Sequence, residues 1–194
     1  MPSVANSDID IASRALILIG AEPITSFTST STEATVANNI YEDVVQAALC
    51  ASRWRFATNQ AELNMLTETP TGRFERAYQL PSDLVMLHAL TVNDNVIEYN
   101  IYGSKVYTDT SSADSVVADY TYRVGEEYFP SYFTVAVQHA LAAMFAVSIA
   151  RDDQLASLFE NKAARTMQQA KTLDSQQQTT RKLVTSRFIS ERRS

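Results

Sequence analysis

Phe133, Val137, Leu141 and Phe145 stand four residues apart, and Ala136, Ala140, Met144 and Val147 recur beside them at steps of three and four. Two such ladders leave Val135–Ala150 apolar on most of a helix circumference, interrupted only by Gln138, His139 and Ser148. A helix of that kind has little surface to offer to water, so the rest of the chain must wrap around it. The spacing predicts a central helix over about residues 131–150. The apolar run Val135–Ala150 falls short of the ~20 residues that span a bilayer, and we read it as a core helix rather than a membrane segment.

Turn-forming residues are scarce. The 194 residues include 4 Gly and 5 Pro, which favours long helices over a many-stranded sandwich. A chain of this length suits one domain, burying roughly 70% of its unfolded surface. Hydrophobic residues at 45% and charged residues at 20% are ordinary for a globular protein. Cys50 is the sole cysteine, so neither an internal disulfide nor a cysteine metal cluster is available, and a reducing compartment is expected. Met1–Asp10 has two aspartates and no Lys or Arg, unlike a signal peptide. The sequence has no Asn-x-Ser/Thr sequon, so nothing marks a secreted glycoprotein.

Three further helices are expected. The first covers about 8–19, capped by Ser7, with Asp8 and Asp10 in its first turn and a stripe of Ala12, Ala15, Leu16 and Ile19. Gly20 stands where a left-handed C-cap belongs, with Pro23 just beyond. The second covers about 33–52 behind Ser31 or Thr32, with Ala37, Ile40, Tyr41, Val44, Ala48 and Ala51 inward. Cys50 reads there as a small core residue. Trp54 follows between Arg53 and Arg55; we read it as a core tryptophan with snorkelling arginines rather than a stacking site. The last helix covers about 153–173, capped by Asp152 or Asp153, with Leu155, Phe159, Ala163, Met167 and Ala170 as its buried stripe.

Between the second and third helices the pattern changes to period two over about 74–124. Leu84–Val92 and Val96–Ile101 read as strands around an Asn93-Asp94-Asn95 turn, and Gly103-Ser104 reads as a hairpin turn. Val116, Ala118, Tyr120, Tyr122 and Val124 share one face of a half-buried strand. The expected fold is therefore mainly α: a four-helix bundle in a single domain over 1–174, with a small antiparallel β insertion. An extended C-terminal tail follows over 175–194.

Charge is polarised along the chain. Of the net -6, residues 1–174 carry 11 basic and 21 acidic residues, or -10. Residues 175–194 carry Arg181, Lys182, Arg187, Arg192 and Arg193 against Glu191 alone, a net +4. Leu183, Val184, Phe188 and Ile189 give that basic tail apolar anchors, the composition of a segment that folds on a partner.

Signals for chemistry are weak. A glycosidase needs two separated carboxylates, but Glu62 with Glu68, Glu126 with Glu127, and Asp152 with Asp153 fit loops and a helix start better. His88 and His139 are far apart in sequence and fall in different elements, and His139 suits a core or interface position. GxSxG, Walker A and GxGxxG motifs are absent from the sequence. A nucleic-acid module is opposed by the acidic body. Among Tyr99, Tyr102, Tyr107, Tyr120 and Tyr122 only Lys105 and Arg123 are interleaved, too few for a stacking platform. No catalytic residue, cofactor or metal is expected.

An ordered set of weak motifs points to a family. They are Leu16–Phe27 (a helix closing on Ile-Gly, then Glu-Pro-Ile-Thr-Ser-Phe), Trp54-Arg55-Phe56-Ala57, Tyr78-Gln79-Leu80-Pro81-Ser82-Asp83, the Tyr102–Thr110 hairpin and Pro130–Ala150. In this order the chain resembles the head-to-tail adaptors, or connectors, of tailed phages, and specifically the tail tubular protein A group of short-tailed phages. The resemblance spans most of residues 9–150. It implies a structural virion protein and no enzyme, located at the head–tail junction after synthesis in the host cytoplasm. It implies a dodecameric ring of this chain between the portal protein and the next tail protein, with DNA passing through unbound and no membrane involved. It also implies that residues 175–194 reach the portal. Arg181, Lys182, Leu183, Val184, Arg187, Phe188, Ile189, Arg192 and Arg193 are then the docking residues. Another homo-oligomeric tail component is the alternative, and a virion cell-wall hydrolase a more distant one.

Overall fold

Ser7 and Asp10 start helix α1 (Asp8–Leu18) with reciprocal bonds. Asp10 N–H donates to Ser7 Oγ at 3.0 Å and Ser7 N–H to Asp10 Oδ2 at 3.1 Å. These bonds hold the Asp10 carboxyl below its ordinary value. The helix ends at Gly20, φ +78°, where Gly20 N–H bonds Ile17 O and Ala21 N–H bonds Leu16 O, the two bonds of a Schellman cap. Helix α2 (Thr32–Cys50) starts on Ser31, whose Oγ accepts from Ala34 N–H. Helix α3 (Ser131–Phe145) continues as a π-helical turn over Ala146–Ala150, stopped by Arg151 at φ +53°. Helix α4 (Asp153–Gln176) starts on Asp152, whose Oδ1 accepts from Gln154 and Leu155 N–H. These positions come from a computed structural model that describes residues 7–68, 70, 72, 74–111 and 114–177.

The first α3 ladder is central, as its spacing requires. Phe133, Val137, Leu141 and Phe145 are fully buried with Ile11, Leu16, Val45, Leu49 and Trp54. Burying each large side chain contributes roughly 1.5–3 kcal/mol. The second ladder departs from expectation: Ala136 is buried, but Met144 is 50% and Val147 53% exposed. The reason is geometric. Both α2 and α4 lie on α3, but they stand apart and leave a groove over its second stripe.

Seven strands lie between α2 and α3. One sheet runs β1 (Thr58–Glu62), β7 (Val117–Tyr122), β3 (Leu84–Val92), β4 (Asn95–Ile97). The other runs β2 (Arg76–Gln79), β6 (Lys105–Thr108), β5 (Asn100–Tyr102). All pairings are antiparallel. Both hairpin turns fall where the sequence places them. Asn93 and Asp94, at φ +48° and +63°, join paired Val92 and Asn95 in the two-residue geometry of a type I′ turn. Gly103, φ +62°, opens the loop between paired Tyr102 and Lys105.

The mainly-α expectation is overturned. The molecule is an α+β structure, 48% helical and 21% strand among the described residues, not a four-helix bundle with a small insertion. The strands close a core of their own between the two sheets, built from Leu63, Tyr78, Leu80, Leu87, Leu90, Val106, Val116, Ala118 and Tyr120. The expected β segment omits β1, because Thr58-Asn59-Gln60-Ala61-Glu62 has no apolar alternation. It is a strand because β7 completes its ladder, Thr58 opposite Thr121 through Glu62 opposite Val117. The strand expected over Val96–Ile101 divides into β4 and β5, which belong to different sheets.

An ionic clasp joins the two cores. Arg123, just after β7, grips Glu42 of α2 side-on, with Nε to Oε1 and Nη2 to Oε2 both at 2.9 Å. Its Nη2 also donates to Glu126 Oε1, which accepts from Tyr41 OH at 3.2 Å. Burial pushes the Glu42 carboxyl up, but the bonds from Arg123 and Gln46 and the Arg123 charge together outweigh it and hold the group below its ordinary value. Burial, then the Glu126 charge, raise the Tyr41 phenol.

Candidate interaction surface

The polar residues considered for chemistry are engaged in the fold. Glu62 accepts from Ser115 Oγ at 2.7 Å, Glu68 pairs with Lys105, and Glu126 sits in the Arg123 clasp. Asp152 is a helix cap. His88 on β3 meets Thr121 Oγ1 at 2.7 Å, and His139 on α3 lies 3.4 Å from Thr166 Oγ1. Burial lowers both imidazoles, and Lys162 lowers His139 further. Among the described residues no three His, Cys, Asp or Glu side chains are arranged to hold a metal. Asp109 and Asp114, which edge a surface cleft beside Glu75, accept from the Glu75 and Ser111 backbone N–H groups.

Tyrosines do not assemble into a base platform. Tyr120 is buried, while Tyr102 is exposed and meets Tyr107 edge-on at 5.3 Å. Cys50 is exposed, contrary to the core position expected for it. It lies nine residues from buried Tyr41, on the opposite side of a helix turning about 100° per residue.

Trp54 is a core residue. It is fully buried, its Nε1 donates to Ala48 O at 2.8 Å, and its ring meets Phe133 edge-on at 5.1 Å. Arg53 pairs with Asp119 at 3.2 Å. Arg55 binds the end of α4: its backbone N–H donates to Asp174 Oδ2 at 3.2 Å and its Nε to Asp174 O at 3.0 Å. Tyr132, at the start of α3, donates to Asp174 Oδ1 at 2.9 Å. Burial and then this bond and charge raise the Tyr132 phenol. Asp174 is thus a buried carboxylate pinning the last turn of α4. In the sequence Asp174 is marked only by its register: Met167, Ala170 and Asp174 fall on one helical stripe.

The end of α4 is therefore a fixed point. Gln177 Nε2 donates to Tyr132 OH at 3.3 Å, and residues 178–194 continue from there. The predicted docking residues Arg181, Lys182, Leu183, Val184, Arg187, Phe188, Ile189, Arg192 and Arg193 lie outside the described residues.

The helical layer exposes apolar surface. A groove of about 380 Å³ between α2 and α4 is lined mainly by alanines, with Met144 and Met167. A second groove, about 300 Å³, lies on the other side of α4 and is lined by Tyr132, Val135, Gln169 and Leu173 among others. Ser131–Ala150 is long and apolar enough to cross a bilayer by length and composition, and half of its apolar stretch is buried in this fold. No protein-family model matches the chain, and no curated protein sequence matches it significantly.

Proposed function

We propose that this chain is a structural subunit of a tailed-phage virion, a head-to-tail adaptor. In this reading copies of it form a ring, of twelve by the resemblance, between the portal protein and the next tail protein. Residues 175–194 dock on the portal, and the acidic body forms part of the DNA channel. The observation that carries the reading is the apolar groove surface left bare on both sides of α4, in a molecule where His88, His139, Glu62, Glu68, Glu126 and Asp152 are each tied into bonds of the fold. Apolar grooves of this kind suit a contact with another protein surface. The ordered motifs of residues 9–150 favour the adaptor over other virion parts. One basic tail binds weakly because its ordering costs free energy, whereas a ring of tails gains avidity. Acidic walls repel phosphates and let DNA slide.

The test is co-sedimentation with the cognate portal ring, comparing the full chain with one stopped after Gln177, so that the Asp174 anchor stays intact. Full-length protein joining in ring stoichiometry while the shortened chain does not supports both the adaptor and its tail contact. Joining by both removes the tail assignment. Joining by neither removes the adaptor reading and leaves another tail component.

A further inference from the structure

The two sides of α4 differ in shape and in charge. On the α2 side, the groove is walled and floored by Ala47, Ala48, Ala140, Ala143 and Ala163, a hollow made by small side chains. Its only acidic lining residue is Glu160, and Asp43 stands one helical turn from Ala47. Lys171 lies one turn past Met167, at the far end. On the other side, Leu158 and Leu173 are 49% and 46% exposed. Lys162, Arg165 and Gln169, all exposed, lie between them at helical spacing, so this side is a polar, cationic ridge with a leucine at each end.

We propose that the alanine groove receives Leu158, with the α4 turn that follows it, from a second copy of this chain. The leucine fills volume that the alanines leave open, and Lys162 and Arg165 beside it meet Glu160 and Asp43 of the groove. The two surfaces are different and lie on opposite sides of one helix. A contact between them is heterologous, so each copy has one neighbour on each side, and repetition closes a ring when the rotation allows. An isologous dimer would instead pair a surface with itself. The inference rests on the ring-subunit reading and supplies its lateral contact.

Two variants at exposed positions separate the surfaces: Met144→Lys at the groove edge and Leu158→Glu on the ridge, each checked for an unchanged melting transition. Sedimentation velocity of the full chain should show concentration-dependent self-association. Either variant alone should associate at least about tenfold more weakly, because a charge enters an apolar contact. An equimolar mixture of the two should give a one-to-one heterodimer that grows no further, since each variant keeps the surface the other lacks. The proposal is overturned if the wild-type chain stays monomeric to its solubility limit, if Leu158→Glu associates like wild type, or if the mixture stays monomeric. It is also overturned if a chain stopped after Gln177 loses association, which would make residues 178–194 the occupant of the groove. Portal co-sedimentation keeps the two readings apart: variants that join the portal yet fail to associate leave the adaptor standing, and a wild-type chain that associates but ignores the portal removes the adaptor alone.

Discussion

Asp174 gathers three parts of the chain that are far apart in sequence: the turn after α2, the start of α3 and the end of α4. Replacing it with alanine leaves the Arg55 N–H and the Tyr132 hydroxyl without their acceptor at a part-buried site. Such losses cost about 1–3 kcal/mol. For a chain of this size the Asp174→Ala melting temperature should fall on the order of 5 °C. Asp174→Asn, which keeps one acceptor oxygen, should lose less. A melt of Asp174→Ala that matches wild type would show the carboxylate to be incidental. Single residues were legible where their neighbours in sequence decide the outcome. Trp54 could be read as core because it follows the buried stripe of α2. Asp174 is marked in the sequence only by its register on the α4 stripe, because its partner Arg55 is 119 residues away.

At the scale of elements, helices were legible and sheet content was not. Capping and the 3.6-residue period are local, so Ser7, Ser31, Asp152 and Gly20 marked their helix ends within a residue or two. A strand is decided by its partner. Polar β1 exists because β7, more than fifty residues later, pairs with it, and no strand taken singly shows that two sheets will close a second core between them. The hairpins are the exception, since their turns are local. Asp94 holds φ +63° in the two-residue loop between β3 and β4, a conformation that glycine adopts without strain. Asp94→Gly makes the turn Asn-Gly, the pair best suited to it, and should stabilise the fold by about 0.5 kcal/mol. Asp94→Val should destabilise it by about 1 kcal/mol or more. Urea midpoints at an unchanged slope measure both. A lower midpoint for Asp94→Gly would mean that the aspartate side chain, not the backbone, holds the turn.

At the scale of the molecule, the ring proposed above requires the two cores to behave as one body, so that load passes from the helical layer to the sheets. They share Tyr122, and they are bound across α2, β7 and the turn after it by the Arg123 clasp. Arg123→Leu removes the cation and leaves Glu42 and Glu126 facing each other. With 24% of the Arg123 side chain still exposed, solvent softens the loss, and a cost of about 1–2 kcal/mol is expected. The loss should be uneven. In the wild-type chain, native-state hydrogen exchange should give β7 and α3 similar opening free energies; in Arg123→Leu, β7 should open at lower free energy than α3. Acid should give a second signature. Glu42 is held below its ordinary value of 4.5, so its contribution is complete above that pH and is lost as the pH falls through the lowered value. Arg123→Leu should lose that part of the acid dependence. Equal opening of both layers in Arg123→Leu would assign their union to Tyr122 and its packing, with the ion pairs contributing only at the surface.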